Sequence, residues 1–225
     1  KGILENKIYE KERLKHVVEF EKKWELADIE IEGSDEVQFA TRYSLYHLLI
    51  LETNENRQSI SARGLSGETY KGAIFWDSEI FLLPAYIIRN PRMAKNIIEY
   101  RIDGLVGARK KAKLNGYKGA FYAWESQENG YEACGKFNVT DPVTGKPIRT
   151  YFDSKQIHIS GDIVYAIENY LNYTEDYKLL ENGGFEVMVE VARFYASYLE
   201  EGRDGLLHAN KVIGPDEYHE LIDDN

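Results

Sequence analysis

No stretch limits the possible folds of this chain more than residues 117–157. They lack any 3.6-residue apolar repeat, yet they carry Tyr117, Phe121, Tyr122, Trp124, Tyr131, Phe137, Tyr151 and Phe152 among many Gly, Asn and Thr residues. Disordered linkers are poor in aromatic residues, so this is an ordered insertion. Long ordered insertions in compact domains usually carry function, and this one reads as a recognition loop. The apolar-acid-amide run Trp124-Glu125-Ser126-Gln127 lies within it.

Helical signals surround the insertion. Residues 5–25 place Leu14, Val17, Phe20 and Trp24 at helical spacing within a balanced mix of charges, as in a helix with one solvated face. Ser34 is a good N-cap for a second helix with Phe39, Tyr43, Tyr46 and Ile50 on one face, and His47 there reads as a packing residue. Residues 54–72 form another long loop, whose Gly64, Gly67 and Gly72 match neither a dinucleotide fingerprint nor a Walker loop. The apolar run Ile74–Phe81 contains Asp77 and Glu79, which are costly if buried unpaired. They are paired, cap a helix or line a cavity, and the neighbouring Trp76 favours the cavity.

Asn90-Pro91 is an N-cap followed by proline at the first helical position. One helix is expected from there, with Ala94, Ile98, Ile102, Leu105 and Ala108 on a face, a basic end at Arg109-Lys110-Lys111, and a stop at Asn115-Gly116. Gln156–Asp162 opens the next, with Ile163, Ala166, Ile167, Tyr170 and Leu171 inward. A further helix turns Phe185, Met188, Val189, Ala192, Tyr195 and Leu199 to the core, and residues 204–215 read as a turn and a short strand or extended arm. The fold class is mainly α. Long helices joined by long, acid-bearing loops suggest helix pairs packed in a toroid, with the loops gathered around a cavity at one end. No solenoid repeat is present.

A chain of 225 residues supports one sizeable core or two small ones. Its formal charge of −10 argues against nucleic acid or an anionic membrane as the main partner. Cys134 is the single cysteine, which excludes an internal disulfide and fits a reducing compartment, so a cytoplasmic location is expected. No apolar run has the length of a membrane span and the N-terminus shows no signal-peptide core, although the chain starts at Lys1 and a cleaved leader would leave no trace. The 17 Tyr, 9 Phe and 3 Trp exceed what packing alone suggests. Aromatic rings beside carboxylates and amides suit a sugar site, where rings stack on C–H faces and polar groups take the hydroxyls.

The chemistry concentrates in Val212-Ile213-Gly214-Pro215-Asp216-Glu217-Tyr218-His219-Glu220. Gly-Pro stops regular structure and fixes the backbone that follows. An acidic surface turn is one reading, in keeping with Asp223-Asp224; a catalytic carboxylate at the end of an element is the other. The five histidines are scattered and His219-Glu220 lacks the i,i+4 partner of a zinc helix, so no metal is expected. No Ser-His-Asp set assembles and Cys134 has no nucleophile-like context. Carboxylates with aromatics remain, and they point to glycosyl transfer, which needs an acid for the leaving oxygen. Glu217, after the rigid turn, suits that acid with a raised pKa.

Four motifs in order over residues 60–220 then carry a resemblance. Ser61-Ala62-Arg63-Gly64-Leu65-Ser66-Gly67-Glu68, Phe75-Trp76-Asp77-Ser78-Glu79-Ile80-Phe81, Gln156-Ile157-His158-Ile159-Ser160-Gly161-Asp162-Ile163 and Gly214-Pro215-Asp216-Glu217-Tyr218 resemble the disaccharide phosphorylases of glycoside hydrolase family 65. Tyr122–Gln127 and Phe137–Asp141 are most similar to the kojibiose phosphorylases within it. The resemblance implies part of an (α/α)6 barrel, with residues 1–33 a linker helix leading into it and 34–225 its N-terminal half. It implies Glu217 as general acid, Trp76 and Asp77 on the donor glucose with Arg63 and His158 nearby, Trp124 and Glu125 between donor and acceptor sites, and Thr150 as an acceptor contact. The implied reaction is reversible, inverting phosphorolysis of an α-glucosyl disaccharide, kojibiose favoured, to β-glucose 1-phosphate and glucose. It uses no cofactor, takes inorganic phosphate as co-substrate, and belongs to a full-length protein expected to be a homodimer.

Two departures stand out. Ala73 occupies a position where relatives commonly carry His. The relatives also continue beyond the equivalent of Asn225 with the phosphate-binding residues, so the 225-residue chain is expected to be inactive alone. Two other readings remain. An inverting hydrolase of glucoamylase or trehalase type on the same barrel needs a second carboxylate ~6.5–9.5 Å from the acid, and Asp77 is its candidate. A non-catalytic sugar-binding helical module needs no acid at all.

Overall fold

Helices form where the apolar repeats and caps place them, in a computed structural model that describes residues 6–53, 55–67, 69–217 and 219–224. Glu68 and Tyr218, which belong to two of the motifs above, lie outside the described residues, as does the chain end at Asn225. The chain divides into two compact units, Lys1–Glu52 and Thr53–Asn225.

The first unit is a helix pair, α1 (Asn6–Ala27) and α2 (Asp35–Leu49). Ser34 caps α2 as expected, its hydroxyl accepting from the Val37 N–H at 3.3 Å, with Asp35 and Glu36 in the first turn favoured by the helix dipole. Gln38 closes the connecting segment by donating to Ile29 O and accepting from Ile31 N–H. Arg42 forks onto Asp28 at 2.8 and 2.5 Å, and Lys23 donates to Leu49 O at the end of α2. The expected apolar faces are only partly covered within this unit. Val17, Phe20 and Trp24 are half-buried and Leu14 is exposed; on α2 the buried residue is Leu49, while Phe39, Tyr43 and Tyr46 face outward. Two helices alone are too shallow to bury both stripes. The aromatic row on α2 packs along itself instead, with His47 edge-on to Tyr43 and Tyr46.

In the second unit the core lies among α3 (Leu83–Arg89), α4 (Pro91–Asp103) and α7 (His158–Thr174). Leu83, Tyr86 and Ile87 meet Met93, Ala94, Ile97 and Ile98, together with Ile159, Ile163, Ala166, Ile167 and Tyr170, all buried. Each such aliphatic side chain contributes roughly 1.5–3 kcal/mol by leaving water. Asn90 caps α4 through the Met93 N–H.

The long helix expected from residue 91 to 114 is two helices, α4 and α5 (Leu105–Leu114), broken at Gly104. The break has a packing cause. Gly104 and Gly107 lie against the backbone of Gly130, and a Cβ added to Gly107 would come within 2.3 Å of the Gly130 carbonyl carbon. Gly130 itself has φ 72°, which disfavours any side chain there. Gly107→Ala, an exchange that favours an isolated helix, is therefore expected to destabilise this one by roughly 1–3 kcal/mol, read from the midpoint of chemical denaturation.

Two short elements follow within the aromatic insertion, the hairpin β1 (Val139–Thr140) with β2 (Pro147–Ile148) and the single turn α6 (Phe152–Lys155). The hairpin's neck is closed by the Thr150 N–H donating to Lys136 O at 2.9 Å. Helix α8 (Phe185–Tyr198) turns a different face inward from the one its apolar spacing suggests: Val187, Glu190, Val191, Phe194 and Tyr198 are buried, while Phe185 and Ala192 are exposed. Glu190 hides this stripe in the sequence, and it tolerates burial because Arg109 and Arg193 bond to it. Phe194 stacks on Phe121 at 4.7 Å and 11°, in a cluster with Ala112, Ile157, Tyr198 and Val212 that ties the insertion to α5, α8 and the C-terminal arm. The strand expected in that arm is β4 (Leu207–His208), paired with β3 (Glu200–Glu201).

Candidate active site

The two aperiodic loops meet through a backbone bridge. Ile74 and Ser126 exchange hydrogen bonds at 2.9 and 3.0 Å, which sets the Phe75–Asp77 and Trp124–Glu125 segments side by side. After the bridge the chain winds into a wide π-type turn, Ser78–Leu82. Two buried polar groups fix this turn. Ser78 donates to Ile60 O at 2.8 Å, and Glu79 receives a two-pronged bond from Arg101, 2.8 Å on each side, with both side chains essentially excluded from water. Burial pushes the Glu79 carboxyl upward, and the Arg101 charge and hydrogen bonds oppose it. The two acids of this run thus separate. Asp77 lines a cavity, as expected; Glu79 does not and is paired instead, because its side chain points back into the helical core.

The cavity holds about 710 Å³. Tyr70, Phe75, Trp76, Phe81, Trp124 and Phe152 supply aromatic surface, and Asp77, Glu125, Asp216 and Glu217 supply carboxylates. Trp124 stacks on Phe152 at 5.6 Å and meets Phe75 edge-on at 5.3 Å. Glu125 is buried beside Lys71, 2.6 Å away. Lys71 and Tyr70 both have positive φ, 60° and 66°, a conformation that ordinary residues hold only when their surroundings demand it.

Glu217 arrives on the C-terminal arm. Val212 and Ile213 are buried, Val212 pairs with Ile222 across the arm, and Glu217 closes a turn onto Gly214 O. Its own φ is 60°, so the acid is presented in a strained backbone state. Partial burial pushes its pKa upward, the Asp77 charge adds to that, and His158 works in the opposite direction. A carboxyl whose pKa is raised beside an aromatic cavity is suited to donate a proton.

Of the eight residues singled out in the sequence, Glu217, Trp76, Asp77, Trp124 and Glu125 line this cavity. His158 stands behind it, its ring edge-on to Trp76 at 4.9 Å, its Nδ1 2.7 Å from Asp162 and its Nε2 2.7 Å from Gln156. With both ring nitrogens engaged, it supports Trp76 instead of facing the cavity. Thr150 is buried and is the acceptor of a 3.2 Å bond from Asn138, which does line the cavity. Arg63 is exposed and outside the lining, although its neighbour Ala62 belongs to it. Ala73 is fully buried.

Asn138, Cys134 and Phe152 were not singled out beforehand. Only the aromatic density of the insertion points to Phe152; Asn138 lies in the Phe137–Asp141 motif with no role implied for it, and no sequence pattern marks Cys134. Burial, then the Glu132 charge, push the Cys134 thiol up to about 12, so it stays a protonated wall group. Among the described residues no cluster of three His, Cys, Asp or Glu side chains could hold a metal, and no helix is long and apolar enough to cross a membrane.

Known proteins are similar to this chain over nearly its whole length. The chain is 52% identical over 220 residues to the nigerose phosphorylase of Lachnoclostridium phytofermentans, covering 96% of this chain and 29% of that protein. It is 46% identical over 222 residues to the kojibiose phosphorylase of Halothermothrix orenii, covering 97% of this chain and 28% of that one. A solved structure described as a putative kojibiose phosphorylase from the human microbiome superposes with a TM-score of 0.79 at 31% identity, over 92% of this chain and 29% of the other. The chain thus spans less than a third of the length of these relatives, and its helices form part of an (α/α)6 barrel. Residues 42–225 match the glycosyl hydrolase family 65 central catalytic domain, and with the cavity acid, the aromatic walls and the ordered motifs all inside that span, the chain belongs to glycoside hydrolase family 65.

Proposed function

We propose that the full-length protein is an inverting disaccharide phosphorylase acting on an α-glucosyl disaccharide, with kojibiose favoured and nigerose its closest competitor, and that Glu217 is its proton donor. The observation that carries this reading is one carboxyl of raised pKa, on a strained turn, at an aromatic cavity whose buried acid, Glu125, is already paired with Lys71. In the forward direction Glu217 gives its proton to the glycosidic oxygen as the bond from that oxygen to the anomeric carbon breaks. A phosphate oxygen forms the new bond from the opposite face, which converts the α-linkage into β-glucose 1-phosphate and frees the second sugar. In reverse, the Glu217 carboxylate takes the proton from the acceptor hydroxyl. Phosphate is an anion at neutral pH, so a second carboxylate to activate it is unnecessary.

In this reading Trp76 and Asp77 hold the donor glucose, with Arg63 at the rim and His158 steadying Trp76. Trp124 and Glu125 bound the donor and acceptor sites, and Thr150 acts on the acceptor side through Asn138. Phosphate is co-substrate and no cofactor is required. Residues 34–225 supply the first half of the barrel, reached through the helix in 1–33, in a protein that works as a dimer in the cytoplasm. The described cavity lining contains no Lys, Arg or His, so phosphate must be held by residues supplied elsewhere in the full-length protein, and the 225-residue chain alone is expected to be inactive.

The nearest rival is an inverting hydrolase, which the Asp77 carboxylate within electrostatic reach of Glu217 would serve as base. Assaying the full-length protein on kojibiose, nigerose, maltose and trehalose, with and without phosphate, separates them. Phosphate-dependent release of glucose 1-phosphate is expected. Free glucose as the sole sugar product, indifferent to phosphate, would establish the hydrolase.

A further inference from the structure

The wall that presents Trp124 and Glu125 belongs to neither helix nor strand; besides the Ile74–Ser126 bridge and the Lys71–Glu125 pair, one carboxylate gathers its backbone N–H groups. Glu132 Oε2 accepts from the Trp124 N–H at 2.8 Å and from Lys111 Nζ at 2.7 Å, while Oε1 accepts from the N–H groups of Glu125 and Cys134, each at 3.0 Å. Lys111 is 4% exposed, lies 3.9 Å from the Phe121 ring centre and also donates to Tyr122 O at 3.0 Å. Neither Lys111 nor Glu132 lines the cavity. Both oxygens of Glu132 are doubly occupied by donors, a demand that only an ionised carboxylate meets. An amide in its place would turn one acceptor into a donor aimed at an N–H or at the lysine. Trp76, Asp77 and Glu217 come from other segments, and none bonds to Glu132.

We propose that Lys111 and Glu132 are the positioning pair for the acceptor side of the site, fixing the Trp124 ring and the Glu125 carboxylate without touching the sugar themselves. This rests on the phosphorylase reading, in which those two residues meet the acceptor. The pair therefore controls affinity for the acceptor while leaving the donor contacts and the Glu217 proton transfer intact.

The test uses the full-length protein in the synthetic direction, with β-glucose 1-phosphate as donor and glucose as acceptor. Glu132→Gln is expected to raise the KM for glucose roughly tenfold to a hundredfold, the scale of a small misplacement at a site. The KM for β-glucose 1-phosphate and the kcat at saturating glucose should stay within about threefold. Adding Glu125→Gln should cost less than the product of the two single effects, because both act on one contact. Lys111→Met, which keeps the three backbone bonds to Glu132, should move the glucose KM in the same direction by less. Equal losses in kcat and both KM values, or fully multiplicative effects in the double variant, would overturn the proposal and leave a merely structural pair. If the unaltered protein shows no phosphate-dependent turnover, it is the phosphorylase reading that falls. The pair is then judged by calorimetric binding of glucose at matched melting temperature: weaker binding in Glu132→Gln supports it, and unchanged binding overturns it.

Discussion

Under the proposed phosphorylase function, Glu217→Gln in the full-length protein is expected to lower kcat for phosphorolysis by roughly two to four orders of magnitude, with little change in KM. The amide keeps the size and polarity of the side chain but has no proton to give, so the loss falls on the chemical step. A KM effect without a kcat effect would mean that Glu217 binds sugar and another group is the acid. The pH profile offers a second reading of the same residue. Phosphorolysis needs the protonated acid, so the alkaline limb of kcat/KM should follow the raised pKa and fall as pH climbs through it. Asp77→Asn removes the charge that adds to burial in raising it, and should move that limb toward acid. His158→Gln removes the group that works against the rise and should move it the other way. A limb that ignores both changes would exclude Glu217 as its origin.

Arg101→Leu is expected to cost about 3–5 kcal/mol of folding stability near neutral pH, because it strands the Glu79 carboxylate in a dry core. The paired change Glu79→Leu with Arg101→Leu should recover most of that loss, since neither charge is then left alone; denaturant titration of the three variants measures it. A single-variant loss below about 1 kcal/mol would mean that water reaches the pair. The functional consequence follows from position. Glu79 sits two residues after Asp77 in the π-type turn, so the bond that holds Glu79 also fixes where Trp76 and Asp77 enter the cavity.

The helices were legible wherever a cap coincided with an apolar repeat. Ser34 and Asn90 start their helices, and Ile163, Ala166, Ile167, Tyr170 and Leu171 turn inward, because those signals are local. The errors arise where a distant group decides. The break at Gly104 depends on Gly130, the inward face of α8 depends on Arg109 accepting a buried Glu190, and the role of Glu79 depends on Arg101. At the site, residue types that carry chemistry stood out, so Trp76, Asp77, Trp124, Glu125 and Glu217 were identifiable, and the geometry gathers all five. Glu132 was not, and Asn138 only as a member of the Phe137–Asp141 motif, since their importance lies in bonds to backbone and to other side chains across loops without periodicity. Thr150, which the resemblance implies as an acceptor contact, and His158, which it implies near the donor, both stand behind residues that line the cavity.

The hairpin of β1 and β2 is suspended from a closed neck between Lys136 and Thr150, while its strands are exposed. Its length is therefore close to a free variable. Doubling such a loop adds only about 0.6 kcal/mol of closure entropy, whereas the Gly107–Gly130 contact and the Glu132 carboxylate at the root of the insertion tolerate almost no change. A protein built this way can change the length of this hairpin by insertion and deletion while the floor of the cavity stays fixed, so hairpins exchanged between Lys136 and Thr150 should leave folding stability nearly unchanged.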